Sequence, residues 1–328
     1  MAEKRSKVVV LGTGGTIAGW APDPTQGRQY QAAELTAADL VQGLGMGQGH
    51  IVTEEVARID SKDMDWSVWL RLVTRLQHWL DQEDVQGVVV THGTDTLEET
   101  AILLHTLFSG TKTVVITGAM RAANVPEPDG PVNLRHALTL ASAPGSAGVV
   151  CVFAGQVHCA ASLTKNDCEA LNAFSSAAPV SLGMALEDLD ALEKRFSYQA
   201  TPQVALSAKA LENVQTWPRV ELVFNHAGQD GALVIEALKS KTPPGGWVVA
   251  GTGNGTMSQG LEAALALAQE RGAWVWRTTR CAKGQVQAQA GERFQVTPGL
   301  NPFQARVVLT LALVAQQVNL TALGKPEI

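Results

Sequence analysis

At 328 residues the chain is about twice the length of a typical domain and long enough to bury a large core. With 45% hydrophobic and 17% charged residues it falls outside the disordered class. Lys and Arg number 25 against 31 Asp and Glu, the formal charge is −6, and no basic run appears, which argues against nucleic acid as the main partner because phosphate contacts need clustered cations.

The N-terminus "MAEKRSKVVVLG" passes from charged residues straight into a strand-like run and a glycine loop. It shows neither the uninterrupted apolar core nor the small-residue cleavage site of a secretion signal, so a cytoplasmic location is expected. Residues 8–11 read as the first strand. "MDWSVWLRLVTRLQHWL" then places Trp66, Trp69, Leu70, Val73, Leu76 and Leu80 at helical spacing, with Asp65 placed to cap it. "GVVVTHGTDTLEETAILLHTLF" is strand, tight loop and helix in one stretch. Leu97, Ala101, Leu104 and Phe108 form its apolar stripe, and Asp95 or Thr96 is the expected cap, with Glu98 or Glu99 reaching back.

"TVVITGAM" (113–120) and "GVVCVFAG" (148–155) repeat the buried-strand pattern, the second entering a hairpin through Ala154-Gly155. Residues 195–218 lose both periods and carry two prolines, which reads as an interdomain linker. That divides the chain into an N-terminal α/β catalytic domain, 1–194, and a C-terminal α/β domain, 219–328. In the second, "RVELVFNHAG", "GWVVAGTGNGT" and "AWVWRTT" resume the strand pattern. Thr256 with Gln259 is the expected capping box of the helix closed by Gly272, and Asn301-Pro302 opens the last helix. Strand alternating with helix from end to end predicts an α/β class with a largely parallel sheet. The apolar stretch at 307–315 is far too short to span a bilayer.

Cys151, Cys159, Cys168 and Cys281 show no CxxC spacing and are expected to be reduced, mostly buried thiols. Seven histidines without HExxH or HxH argue against a zinc site.

In open parallel sheets ligands sit beyond the carboxyl ends of strands. Two loops there carry threonines: Thr13-Gly14-Gly15-Thr16 and His92-Gly93-Thr94-Asp95-Thr96. Taken singly such loops are more often mere turns and caps. A phosphate cradle is disfavoured, since the register from Gly12 gives Gly12, Gly14 and then Ile17, and no GK followed by Ser or Thr occurs. A nucleophile needs an alcohol, a proton acceptor and oxyanion donors. Thr16 or Thr94 supplies the first, Asp95 or a desolvated Lys165 the second, and backbone N–H groups of the Gly14-Gly15 and Gly93-Thr94 turns the third. No GxSxG elbow competes.

"TGGTIAG" (13–19) with "THGTDTLEETA" (91–101) resembles the bacterial-type L-asparaginase and glutaminase-asparaginase family. "DSKDM" (60–64), "GAMR" (118–121), "DGPVNL" (129–134), "LTK" (163–165), "GTGNG" (251–255) and "LNP" (300–302) follow in the family's order over nearly the whole chain. The resemblance implies a flavodoxin-like N-terminal parallel-sheet domain and a smaller α/β C-terminal domain. It implies an L-asparagine amidohydrolase working through a threonyl acyl-enzyme, with no metal and no organic cofactor. Thr16 then attacks, Tyr30 assists and closes over the site, and Thr94, Asp95 and Lys165 form a proton-transfer group. Asp95 also holds the substrate ammonium, Ser61 the α-carboxylate, and the carbonyl of Ala119 the substrate amide; Thr94 and Lys62 complete the substrate-binding set. A homotetramer of intimate dimers is implied, with a neighbouring chain completing each site.

Two departures from the family stand out. Lys62 occupies the place of a glutamine or glutamate, and the segment 280–301 is short, with Glu292 as the candidate for the acidic residue that a neighbouring subunit contributes. The alternatives are a glutaminase-leaning amidohydrolase, the glutaminase part of a tRNA-dependent amidotransferase, or a non-catalytic amino-acid-binding protein on the same scaffold.

Overall fold

Runs of β-branched residues, too apolar to face water on either side, become the central strands of the first unit, as expected for a sheet covered on both faces. In the computed structural model, which describes residues 6–25, 29–45, 50–108, 110, 112–145, 147–197, 204, 206–297 and 299–322, the chain divides into two compact units at residues 198/199.

The first unit runs β1 (Lys7–Gly14), α1 (Ala37–Gln42), β2 (Ile51–Ile59), α2 (Trp66–Leu80), β3 (Val85–Thr91), α3 (Leu97–Leu107), β4 (Thr113–Thr117), α4 (Gly130–Ser142), β5 (Val149–Phe153) and β6 (Gln156–Cys159). After these come β7 (Thr164–Lys165), β8 (Phe174–Ser175), β9 (Val180–Ser181), α5 (Leu182–Glu187) and α6 (Leu189–Ser197). The sheet order is β2-β1-β3-β4-β5-β6-β9, parallel through β5 and antiparallel beyond it. Its first five strands have the flavodoxin-like order, whose switch point lies between β1 and β3. Those two strands are in register with Val10 opposite Val89 and Gly12 opposite Thr91, so the loops that follow them emerge side by side.

The hairpin expected at Ala154-Gly155 joins β5 to β6, both residues having positive φ (47° and 75°), as a two-residue turn between twisted strands requires. Asp65 caps α2 by accepting from the Val68 N–H at 2.9 Å. The buried face of α2 is Val68, Trp69, Leu72, Val73 and Leu76; Trp66, Leu70 and Leu80 are only half-buried, so the helix lies rotated from the expected stripe. The expected capping box of α3 does not form. Thr96 Oγ1 donates to the Ser61 carbonyl at 2.7 Å, and Glu98 accepts the Lys165 N–H at 3.1 Å.

The second unit holds α7 (Ala208–Leu211), β10 (Val220–Phe224), α8 (Ala232–Leu238), β11 (Gly246–Gly251), α9 (Gln259–Glu270), β12 (Trp274–Thr279), β13 (Gln295–Val296) and α10 (Pro302–Ala322). Its parallel sheet, β10-β11-β12-β13, buries Trp247, Val249 and Val275 against Leu261 and Leu265 of α9 and Val234 of α8. On the other face Gly246 leaves room for Leu309 and Leu313 of α10. The cap of α9 is Ser258, which accepts from the Leu261 N–H at 3.2 Å, and not Thr256, whose hydroxyl is taken up by the Thr252 bridge. Gly272, at φ 93°, follows that helix, and Asn301 accepts from the Gln304 N–H at the start of α10, both as expected. The segment expected as linker carries the end of α6 and the whole of α7.

All four cysteines are free; Cys151 and Cys159 are buried, but Cys168 and Cys281 are exposed, correcting the expectation of mostly buried thiols. Among the described residues no helix is long and apolar enough to cross a membrane.

Candidate active site

Gly14 and Gly15 let the chain leave β1 with φ of 95° and 79°, a region open to glycine but strained for other residues, and deliver Thr16 into a short turn. The two threonine loops touch glycine to glycine: a Cβ on Gly15 would stand 2.2 Å from Gly93 Cα. Thr13 Oγ1 donates to the Thr91 carbonyl at 2.9 Å and ties the strand ends together, so its hydroxyl is structural.

Thr16 is almost fully buried, and its Oγ1 lies 2.6 Å from the Tyr30 hydroxyl. Tyr30 is brought back over the loop by a reciprocal backbone pair, Trp20 with Gln31 at 2.9 Å each way, and its ring rests on Gly19, where a Cβ would come within 2.8 Å. Facing it, Lys165 Nζ donates to Thr94 Oγ1 at 2.9 Å and to Asp95 Oδ1 at 2.7 Å. Lys165 is distant in sequence and comes from β7. It is held there by Glu98, in the first turn of α3, which takes its backbone N–H.

Thr16, Tyr30, Thr94, Asp95 and Lys165 all line one open cleft of about 630 Å³, together with Met120, Arg121 and Cys168. Ser61 sits beneath, 2% exposed, its Oγ accepting from the Asp95 N–H at 3.2 Å. Ala119 is fully buried in the turn just after β4. The Met120 and Arg121 N–H groups that follow donate to the Asp129 carboxylate at 2.9 and 3.0 Å, and Asn133 Nδ2 donates to the Gly118 carbonyl at 3.1 Å. The "DGPVNL" stretch therefore shapes the "GAMR" turn, a role that spacing alone does not reveal.

Lys62 is exposed and paired with Asp60 and, at 3.8 Å, Asp63; its hydrogen bond to Asp60 holds its pKa above the usual lysine value. In the second unit Glu292 pairs with Arg277 and accepts from the Gln289 N–H at 2.9 Å; the Arg277 contact, its largest cause, keeps its carboxyl below the usual range. Among the described residues no cluster of His, Cys, Asp and Glu has the arrangement to hold a metal ion.

Burial pushes His92 and His158 down from 6.5 to about 4, so both are neutral in the fold at pH 7. A depressed histidine contributes stability that is complete above about pH 6.5 and lost as pH falls through about 4. The urea midpoint should hold level above that window and decline within it, with about two protons taken up by these two imidazoles on unfolding near pH 5. A flat midpoint across the window would contradict their burial.

The sheet order and the switch-point loops define a flavodoxin-like α/β protein with a threonine-lined cleft. Family models match both units, the asparaginase N-terminal domain over residues 7–195 and the glutaminase/asparaginase C-terminal domain over residues 219–323. The chain belongs to the bacterial-type asparaginase family. It is 32% identical to L-asparaginase 2 of Bacillus subtilis, covering 93% of this chain and 81% of that one. It is 29% identical to the glutaminase-asparaginase of Pseudomonas fluorescens, covering 96% and 88%. Among solved structures, a probable cytoplasmic L-asparaginase from Campylobacter jejuni superposes with a TM-score of 0.80 at 27% identity, covering 96% of this chain and 98% of that one.

Proposed function

We propose that this chain, an L-asparaginase, hydrolyses L-asparagine to L-aspartate and ammonia through an ester on Thr16. The observation that carries the reading is the pairing, in one cleft, of a buried threonine hydrogen-bonded to a tyrosine with a second threonine hydrogen-bonded to a lysine–aspartate pair. Membership of a family whose relatives are asparaginases and glutaminase-asparaginases gives the class of reaction, amide hydrolysis on asparagine or glutamine.

In the first step Thr16 Oγ1 attacks the side-chain amide carbon as its proton passes by way of Tyr30 to the leaving nitrogen. A C–O bond forms, the C–N bond breaks, and ammonia departs. In the second, water attacks the ester, the Thr94–Lys165–Asp95 group moves its proton, and aspartate leaves with Thr16 restored. The Gly15 N–H, expected as an oxyanion donor, is committed to the Ile59 carbonyl at 2.9 Å, so in this reading the backbone N–H groups of the Gly93–Thr94 turn hold the oxyanion in each step. Asp95, 57% exposed at its side chain and facing the cleft, has an oxygen free to meet the substrate ammonium once Lys165 holds the other. Ser61 and the backbone around it take the α-carboxylate, and the Ala119 carbonyl takes the amide. In this reading Lys62, turned to Asp60, takes no part in the binding of the substrate.

The protein acts as a cytoplasmic homotetramer. Ammonia release from L-asparagine and L-glutamine, measured side by side on protein sized by light scattering, tests the reading. Turnover of asparagine in a tetrameric peak supports it. Glutamine turnover faster than asparagine turnover would move the enzyme to the glutaminase side, and silence on both amides from folded protein would remove the activity.

A further inference from the structure

We propose that His92 is a positioning residue whose hydrogen-bond chain turns the Gly93–Thr94 peptide so that the Thr94 N–H points into the cleft as an oxyanion donor. The inference rests on the amidohydrolase reading and says what sets the aim of one of its parts.

His92 ends the run that leads out of β3, is fully buried and is not among the residues that line the cleft. Three side chains from three elements meet in a line behind the loop. Trp69 Nε1 of α2 donates to Thr100 Oγ1 of α3 at 2.8 Å. Thr100 Oγ1 stands 2.9 Å from His92 Nε2, and His92 Nδ1 stands 2.7 Å from the Gly93 carbonyl oxygen.

One arrangement of protons satisfies all three contacts. A carbonyl oxygen only accepts, so Nδ1 carries the hydrogen. Burial keeps the ring neutral, so Nε2 is the acceptor. Thr100 therefore gives its single hydrogen to Nε2 and receives one from the indole, which only donates. The donors run in one direction, Trp69 to Thr100 to His92 to Gly93, and the last pulls the Gly93 carbonyl toward the protein interior.

A peptide unit is planar and trans, so its C=O and the following N–H point to opposite sides. With the Gly93 oxygen drawn toward His92, the Thr94 N–H on the same unit faces the side where the Thr94 and Asp95 side chains stand, which is the cleft. The Gly93 position itself is fixed from below, since a Cβ there would meet Ser61 Oγ at 2.5 Å. Aligned donors of this kind strengthen one another in a low-dielectric interior.

The test uses the full chain and the variants His92→Leu, His92→Asn and Thr100→Val, with urea unfolding as a check on the fold. In His92→Leu, kcat for asparagine should drop about tenfold, less than the ~10²–10³ lost when an oxyanion donor is removed outright, with KM within about twofold. His92→Asn, which keeps an N–H near the Nδ1 place, should recover most of it, and Thr100→Val should fall between. Nitrogen-15 shifts of the parent's imidazole should report the Nδ1–H form. Parent kcat in folded His92→Leu, or in Thr100→Val where the leucine variant fails to fold, would overturn the proposal. So would equal losses in the Leu and Asn variants, or a neutral Nε2–H ring. Ammonia release that survives Thr16→Ala overturns instead the reading on which it rests, while the ring's tautomer is read without any turnover.

Discussion

Thr16→Ala should yield a folded protein that releases almost no ammonia from L-asparagine. The substitution removes the alcohol that attacks, and loss of an attacking group lowers kcat by about 10³-fold or more in enzymes of this kind. Stability should change little, by about 1 kcal/mol or less, because the Thr16 hydroxyl bonds Tyr30 and not the sheet. Circular dichroism and a urea midpoint matching the parent, with turnover at the detection limit, are the expected pair of results. Turnover within about tenfold of the parent would put the nucleophile elsewhere, because such a loss is smaller even than the ~10²–10⁴-fold of general acid–base help alone.

Gly15→Ala should have the largest effect of any single methyl group in the first unit. Two costs combine there. Its φ of 79° is strained for alanine by about 1–2 kcal/mol. The added carbon would meet Gly93 N at 2.3 Å and His92 C at 2.9 Å, backbone atoms of the neighbouring loop that have no rotamer to yield. Overpacking of that kind costs about 1–3 kcal/mol, so a total near 3 kcal/mol is expected, with the Thr16 loop pushed away from Thr94 and kcat reduced with it. Gly272→Ala supplies the control, since it has a similar φ of 93° but open space around the new carbon. A urea series should separate the two variants; equal midpoints would mean that the loops do not rely on this contact.

Periodicity revealed the strands that are buried on both faces, because an unbroken valine run has no other use in a chain of this composition. It missed β2, "IVTEEVARI", an edge strand paired with β1 that is mostly half-buried and whose doubled apolar and doubled acidic residues break the period of two. Caps were legible where the side chain had one local task, as at Asp65 and Asn301. They were misread where a tertiary contact took over the residue: Thr256 answers Thr252, and Glu98 answers Lys165.

The same limit applies to the cleft. Spacing marked the two threonine loops, and register between β1 and β3 is what makes them neighbours. Nothing local linked Lys165 to Thr94 across |i−j| of 71 residues, and only the resemblance joined them. His92 and Thr100 sit in a helical and loop pattern that looks like ordinary core, and their directed chain becomes visible only with α2 and α3 in place.

The central claim is the ester on Thr16, and it is tested most directly by rapid acid quench of the enzyme during asparagine turnover, followed by peptide mass mapping. The account predicts one aspartyl group on the peptide that contains Thr16, absent from Thr16→Ala. An aspartyl ester mapped to Thr94, or an adduct that persists in Thr16→Ala, would contradict it.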